Sequence, residues 1–133
     1  MAAQGRKNVH GKAGVRFKTG YTASKNKAML RNVVTDLILN GEVKVTSGVV
    51  KELKSLADHL VTLAKRGDLH ARRLAAQVVR TNVEKDGKNA LTVLFSELGP
   101  RMKDRKGGYT KAYKLGLRRG DSAEVCLVRW SDL

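Results

Sequence analysis

The segment formed by residues 98–121, LGPRMKDRKGGYTKAYKLGLRRGD, constrains the fold most, because its pattern changes twice within a few residues. Leu98-Gly99-Pro100 predicts the end of a helix, since glycine favours the position after a helix and proline cannot continue one. From 109 to 117 the pattern has period two, which predicts a strand followed by a turn at 118–121. The face of this strand expected to pack on the core carries Tyr109, Tyr113, Leu115 and Leu117.

A basic cluster lies between the predicted helix end and the predicted strand. Its cations are opposed only by Asp104, and Gly107-Gly108 follows, which leaves the backbone free to turn or to approach a partner. A charge run is often only a solvated surface, but charges of nearly one sign beside glycines and tyrosines favour a surface for a polyanion. The cations of the cluster are Arg101, Lys103, Arg105 and Lys106.

Composition narrows the class of partner. The chain has 133 residues, which favours one domain, and 27 Lys and Arg against 12 acids give a net charge of +15. Such an excess requires an anionic partner, for which nucleic acid is the usual candidate and an anionic membrane the rival. No stretch approaches the roughly 18–20 apolar residues of a spanning helix. Cys126 is the only cysteine, so an intrachain disulfide is impossible and a reducing, cytosolic setting is the simplest inference.

Residues 1–22 are expected to form a basic, extended arm. Regularly placed glycines break any helix, no acid precedes Asp36, and the few apolar residues cannot pack a core. We expect the arm to be disordered alone and ordered by a polyanion, although the first few residues could simply be a floppy terminus. The arm residues predicted to bind RNA are Arg6, Lys7, Lys12, Arg16 and Lys18.

Residues 23–133 are expected to form a single globular domain. Apolar stripes of period 3.6 predict four helices, and period-two runs predict three strands, of which the last two form an antiparallel hairpin. Ser47 is a candidate N-cap, and Arg66-Gly67-Asp68 predicts a C-cap followed by an N-cap. The predicted helices span about 23–39, 49–65, 69–82 and 88–98, and the strands 42–46, 109–117 and 123–130.

Further cations lie outside the apolar stripes of these elements. The first helix begins with lysines instead of acids, which opposes the helix macrodipole and suggests that phosphates supply the negative charge. The predicted RNA-binding residues of the domain, besides the basic cluster, are Lys25, Lys27, Arg31, Arg72, Arg73, Lys111, Lys114 and Arg118.

Signals for catalysis are weak. The three histidines, His10, His59 and His70, have no Cys or carboxylate at metal-ligand spacing, and no phosphate-binding glycine motif occurs. Cys126 lies in an apolar strand, which favours an inert thiol over a nucleophile. Trp130 and the tyrosines could stack on bases, although core packing is the stronger expectation for Trp130. We therefore expect no metal, no cofactor and no small-molecule substrate.

Several strings resemble the bacterial large-ribosomal-subunit protein seventeen family. The resemblance covers residue 23 to the end, and it includes KELKSLADHLVTLAKRGDLHARRLA in the middle of the chain. The arm is longer than is typical of that family, and Ser47-Gly48 replaces its usual Thr followed by Leu-Pro. The most specific strings are KAMLRN at 27–32, LGPR at 98–101, GGYT at 107–110 and RRGD at 118–121.

The resemblance implies an α+β fold with four main helices packed on a small mixed sheet of about three strands. It also implies a cytoplasmic structural constituent of the large ribosomal subunit, which binds large-subunit ribosomal RNA near the nascent-chain exit tunnel beside neighbouring ribosomal proteins. No catalysis is implied. From the residues alone, a DNA-architectural protein fits the charge but lacks an evident recognition helix, and an RNA-modifying enzyme lacks an acid/base pair.

Overall fold

The structure is a computed structural model that describes residues 23–132, so the predicted N-terminal arm lies outside the described part. Helices and strands follow one another in a single α+β arrangement. In chain order the elements are α1 (Ala23–Asn40), β1 (Glu42–Thr46), α2 (Ser47–Arg66), α3 (Leu69–Ala76), β2 (Glu84–Lys85), β3 (Lys88–Asn89), α4 (Ala90–Val93), a π-helical turn (Leu94–Leu98), α5 (Gly99–Arg101), β4 (Thr110–Leu117) and β5 (Glu124–Trp130).

Helix α2 is the centre of the helical layer, and its end confirms the predicted caps. Gly67 has a φ of 69° and donates its backbone N–H to the Leu63 carbonyl, which closes α2 with a left-handed residue. Asp68 then accepts a hydrogen bond of 2.7 Å from the Ala71 N–H at the start of α3. The predicted N-cap of α2 is wrong, because Ser47 is already helical and Thr46 takes the cap position without a side-chain bond.

Strands β1, β5 and β4 form a three-stranded sheet in that spatial order. Val45 pairs with Cys126 in β5, and Ala112 of β4 pairs with Val128. Both pairings are antiparallel, so the α+β class and the C-terminal hairpin are confirmed while the mixed character of the sheet is not. The six residues 84–89 form a second, two-stranded ladder that turns at Asp86 and Gly87, which both have positive φ.

The core lies between the helices and one face of the sheet. Cys126, Val128 and Trp130 alternate along β5 and are buried, with Trp130 1% exposed. The indole N–H of Trp130 donates a hydrogen bond of 3.2 Å to the carbonyl of Leu37 in the last turn of α1. Trp130 therefore fixes the sheet to α1 as well as filling the core.

The prediction that the apolar side chains of β4 pack on the core is wrong. Tyr113, Leu115 and Leu117 are 46%, 50% and 73% exposed, although Tyr109 just before the strand is buried. Residues opposite one another in an antiparallel sheet share a face, so the register places Tyr113 beside Leu127, away from the core. A register shift between Lys114 and Gly116 also breaks the predicted alternation, because Leu117 pairs with Glu124 and so does not share the face of Tyr113. β4 is an edge strand whose outer part the helices do not bury.

The predicted helix end at Leu98-Gly99-Pro100 is also wrong, because residues 90–101 form one continuous helical run. The N–H of Gly99 bonds to the Leu94 carbonyl five residues earlier, and this π turn lets Pro100 take a first-turn position of α5, where its missing N–H costs little. Gly99 serves close packing instead: a Cβ there would lie 3.1 Å from the carbonyl oxygen of Ala64 in α2.

Helix α3 ends at Ala76, six residues earlier than predicted. After it, the backbone leaves the helical register, since the Val78 N–H bonds to the Ala75 carbonyl three residues earlier. The Arg80 N–H then bonds to the side-chain oxygen of Thr35 in α1 at 3.0 Å. This long-range bond competes with helix propagation, and a local periodicity gives no sign of it.

Candidate nucleic-acid interface

The described cations form separate groups on the surface, and the first group lies on α1. Lys25 and Lys27 are exposed, and no acid occupies the first turn of this helix. Lys27 and Arg31 border a groove of about 600 Å³ between α1 and α2, whose apolar wall includes Leu30 and Leu56. Arg31 also donates a hydrogen bond of 2.9 Å from Nε to the Val78 carbonyl, which fixes its side chain at the groove.

The second group lies on α3. Arg72 and Arg73 are both exposed, as predicted from the helical pattern. The guanidinium carbon of Arg72 lies 5.3 Å from the centre of the Phe95 ring, a distance at which a cation–π attraction operates. Arg72 is thereby held against the helical run at residues 90–101, and its charge remains at the surface.

The third group is the basic loop before β4. Its three loop cations, Lys103, Arg105 and Lys106, are exposed.

The backbone of this loop is anchored firmly. Met102 is fully buried, and the Lys65 ammonium donates to the Arg105 carbonyl at 2.5 Å and to the Tyr109 hydroxyl at 3.0 Å. The same ammonium lies 5.1 Å from the centre of the Tyr109 ring. A cation in α2 thus holds the loop in place, while the loop cations themselves extend from a fixed backbone.

Arg101 differs from the other cations of the predicted cluster because it is used within the fold. Its Nε and a terminal nitrogen donate to the two carboxylate oxygens of Asp132 at 2.8 and 2.6 Å, a bidentate pair. The Arg101 hydrogen bonds hold the pKa of Asp132 below its usual range. Arg101 therefore joins the helical run to the end of β5, and less of its charge remains for an external anion.

The hairpin cations are partly neutralised as well. Lys114 lies 3.5 Å from a carboxylate oxygen of Glu124, and Arg118 pairs with Asp121 at 2.5 Å across the turn. The Arg118 hydrogen bond lowers the pKa of Asp121 to about 2, and the same bond raises the pKa of Arg118. Lys111 is exposed and lies opposite Arg129 of β5.

The structure thus distributes the predicted site residues over α1, α3, the basic loop and the hairpin, and does not gather them into one pocket. Sequence reasoning missed Lys44, Lys65 and Arg129. The alternation along β5 would have shown that Arg129 lies on the outward side of the strand, together with Val125 and Leu127. The predicted arm cations, which the structure does not describe, are Arg6, Lys7, Lys12, Arg16 and Lys18.

Two further findings concern the class of site. Within residues 23–132, no three His, Cys, Asp or Glu side chains come together in a way that could hold a metal ion. In the same range, no helix has both the length and the apolarity needed to cross a membrane.

Comparison with known proteins identifies the family. The family model described as Ribosomal protein L17 matches residues 29–130. The chain is 46% identical over 113 residues to the large ribosomal subunit protein bL17 of Halalkalibacterium halodurans, which covers 84% of this chain and 94% of the relative. It is 44% identical over 115 residues to the bL17 protein of Shouchella clausii, which covers 85% and 96%. The chain therefore belongs to the ribosomal protein L17 family.

Proposed function

We propose that this chain binds large-subunit ribosomal RNA, mainly through its phosphates, with the cations of α1, α3, the basic loop and the hairpin. Family membership makes the chain a non-enzymatic, structural constituent of the large ribosomal subunit, which resides on the ribosome in the cytoplasm. The RNA contact, the N-terminal arm as part of it, and a position near the nascent-chain exit tunnel beside other ribosomal proteins are the proposed details.

The observation that carries the RNA contact is the basic loop. The three loop cations are exposed on a backbone that is held by Met102 and Lys65, so the backbone that carries them is positioned before a partner arrives. Preorganised cations lose less conformational entropy when they meet phosphates. The charge of +15 supports the same partner, because a chain with this excess attracts a polyanion over a long range.

The position near the exit tunnel rests on the family resemblance alone. It is separate from the phosphate contacts, which would serve equally at any RNA surface. Crosslinking of the protein to RNA in intact subunits tests the position directly. Crosslinks confined to RNA segments that border the tunnel exit support it, and crosslinks confined to the subunit interface contradict it.

Sedimentation of a lysate tests the function as a whole. We expect the full chain to sediment with the large subunit at low salt and to dissociate more readily in high salt when the loop cations are replaced by Gln. The matched control is Glu84→Gln with Asp86→Asn in the β2–β3 hairpin, which changes exposed acids instead. Sedimentation of the wild type with the nucleoid, or with soluble proteins only, would contradict the proposal.

A further inference from the structure

The outward face of the three-stranded sheet joins one hairpin cation of the proposed interface, Lys111, to residues outside that interface. Cys126, Val128 and Trp130 point into the core, so their neighbours along β5 point to the opposite face. The pairing extends this face over the two edge strands, since opposite residues share a side. In register, its rows are Glu42–Arg129–Lys111, Lys44–Leu127–Tyr113 and Thr46–Val125–Gly116.

This face combines an exposed aromatic ring with cations. Tyr113 lies directly opposite Leu127, and on the far side of Leu127 lies Lys44, which is exposed. Arg129 and Lys111 form the next row. Glu42, at the end of β1, is the only acid in these three rows, so the face is strongly positive around its apolar centre.

Arg129 provides a second and independent observation. Its Nε is buried and has no hydrogen-bond acceptor in the described structure. A buried donor of a charged group without a partner is costly, and a bound acceptor would remove that cost. This nitrogen is closed to solvent, so a ligand on the face would reach it only after a shift of the side chain, but it marks a guanidinium in the row next to Tyr113 that the fold does not fully satisfy.

We propose that this sheet face is a stacking platform for unpaired nucleotides of RNA. Tyr113 stacks on a base, Leu127 provides the apolar floor, and Lys44, Lys111 and Arg129 contact the sugar-phosphate backbone. The inference rests on the proposed RNA-binding function and adds the class of RNA and the surface that takes it. Aromatic side chains on an open sheet bind unpaired bases in this manner, because every unpaired base can expose its flat face. In a duplex these faces are covered by the neighbouring base pairs.

The charge distinguishes this partner from a neighbouring protein. The centre of a protein–protein interface is depleted of lysine, whereas an RNA interface is enriched in cations. Here two lysines and an arginine surround a small apolar centre made of Tyr113, Leu127 and Val125. The size and charge of the patch therefore favour nucleotides over a docked protein as its ligand.

The test compares the binding of the full chain to a short oligouridylate and to an RNA duplex of matched charge. Tyr113→Leu removes the stacking ring and keeps an apolar side chain. We expect it to weaken binding to the oligouridylate by about 5- to 50-fold, with little change for the duplex and no change in salt dependence. Lys111→Gln should instead reduce the salt slope for the single strand by about 0.7. Tyr113→Phe keeps the aromatic ring and should bind the oligouridylate as the wild type does.

Fluorescence provides a direct readout of stacking. Tyr113→Trp should bind the oligouridylate and lose emission on binding, because a stacked base quenches indole. The matched control is Val83→Trp, since Val83 is also exposed, at 44%, but lies beside the β2–β3 hairpin, whose two acids and two lysines cancel. Its emission should change little.

The outcomes are distinct. Failure of the wild type to bind either RNA at low salt overturns the proposed function itself. Normal binding of both RNAs by Tyr113→Leu overturns only the stacking platform. If that variant binds RNA normally but is lost from isolated large subunits, the face docks a neighbouring protein and the inference is wrong.

Discussion

Replacement of Trp130 by Phe tests how the sheet is joined to α1. Trp130 is the only tryptophan of the chain and is 1% exposed, and its indole N–H bonds to the Leu37 carbonyl. Phe keeps an aromatic ring in the core but cannot make this bond. We expect Trp130→Phe to fold but to be less stable, because it loses the indole hydrogen bond and part of the buried ring.

The magnitude has two parts. The Leu37 carbonyl also accepts the Gly41 N–H at 2.9 Å, so it is not left without a donor and the lost bond costs only about 1 kcal/mol. The smaller ring removes buried atoms and leaves a cavity, which adds about 1–2 kcal/mol. The expected loss in the free energy of unfolding is therefore about 2–3 kcal/mol, against about 3–5 kcal/mol or more for Trp130→Ala.

Urea unfolding followed by far-UV circular dichroism measures this loss without relying on the tryptophan. Tyr113→Phe is the control, because it changes a half-exposed aromatic residue of the same sheet and should shift stability by less than about 0.5 kcal/mol. The reasoning would be refuted by a Trp130→Phe variant that is as stable as this control, with the same dependence on urea. Such a result would mean that the sheet and α1 are not joined through Trp130.

Three further predictions concern the loop, the end of β5 and the helical run. Replacement of all three loop cations by Gln should leave the melting temperature unchanged or slightly higher and reduce the salt slope of RNA binding by about 2–3, as measured by thermal scans and salt titrations. Arg101 lowers the pKa of Asp132, so this ion pair stabilises the fold at neutral pH, and the stabilisation is lost as the pH falls through the folded-state pKa. Urea unfolding should show that Asp132→Asn is less stable than the wild type by less than about 1 kcal/mol at neutral pH. This difference should shrink below about pH 4. Gly99→Ala should lower the free energy of unfolding by about 1 kcal/mol, because contact with the Ala64 backbone outweighs the gain in helix propensity, while Ser96→Ala in the same run should change it by less than about 0.5 kcal/mol. A stabilising Gly99→Ala would contradict the packing argument.

The elements that follow from local pattern were predictable from the sequence. Strand β1 was predicted at its observed bounds, and the Gly67–Asp68 junction was predicted because each residue has a strong local preference. The errors arise where a distant contact decides. Gly99 was predicted to end a helix because the sequence shows neither the π turn nor the close approach of Ala64. The end of α3 depends on a bond between Arg80 and Thr35, which are far apart in the sequence.

The candidate site shows the same division. Net charge and the basic cluster indicated the type of partner, because composition alone sets the electrostatic attraction. The sequence could not reveal which cations are used within the fold. Arg101 and Arg118 look equivalent to Lys103 in the sequence, but Asp132 and Asp121 hold them in ion pairs. The outward face of the sheet also required the register between strands.

The salt dependence of binding between the full chain and large-subunit ribosomal RNA tests the central claim most directly. If about eight phosphates are neutralised, the logarithm of the affinity should fall against the logarithm of the salt concentration with a slope of roughly −6 to −7. A slope near zero, with tight binding that persists at high salt, would contradict an interface made mainly of phosphate contacts.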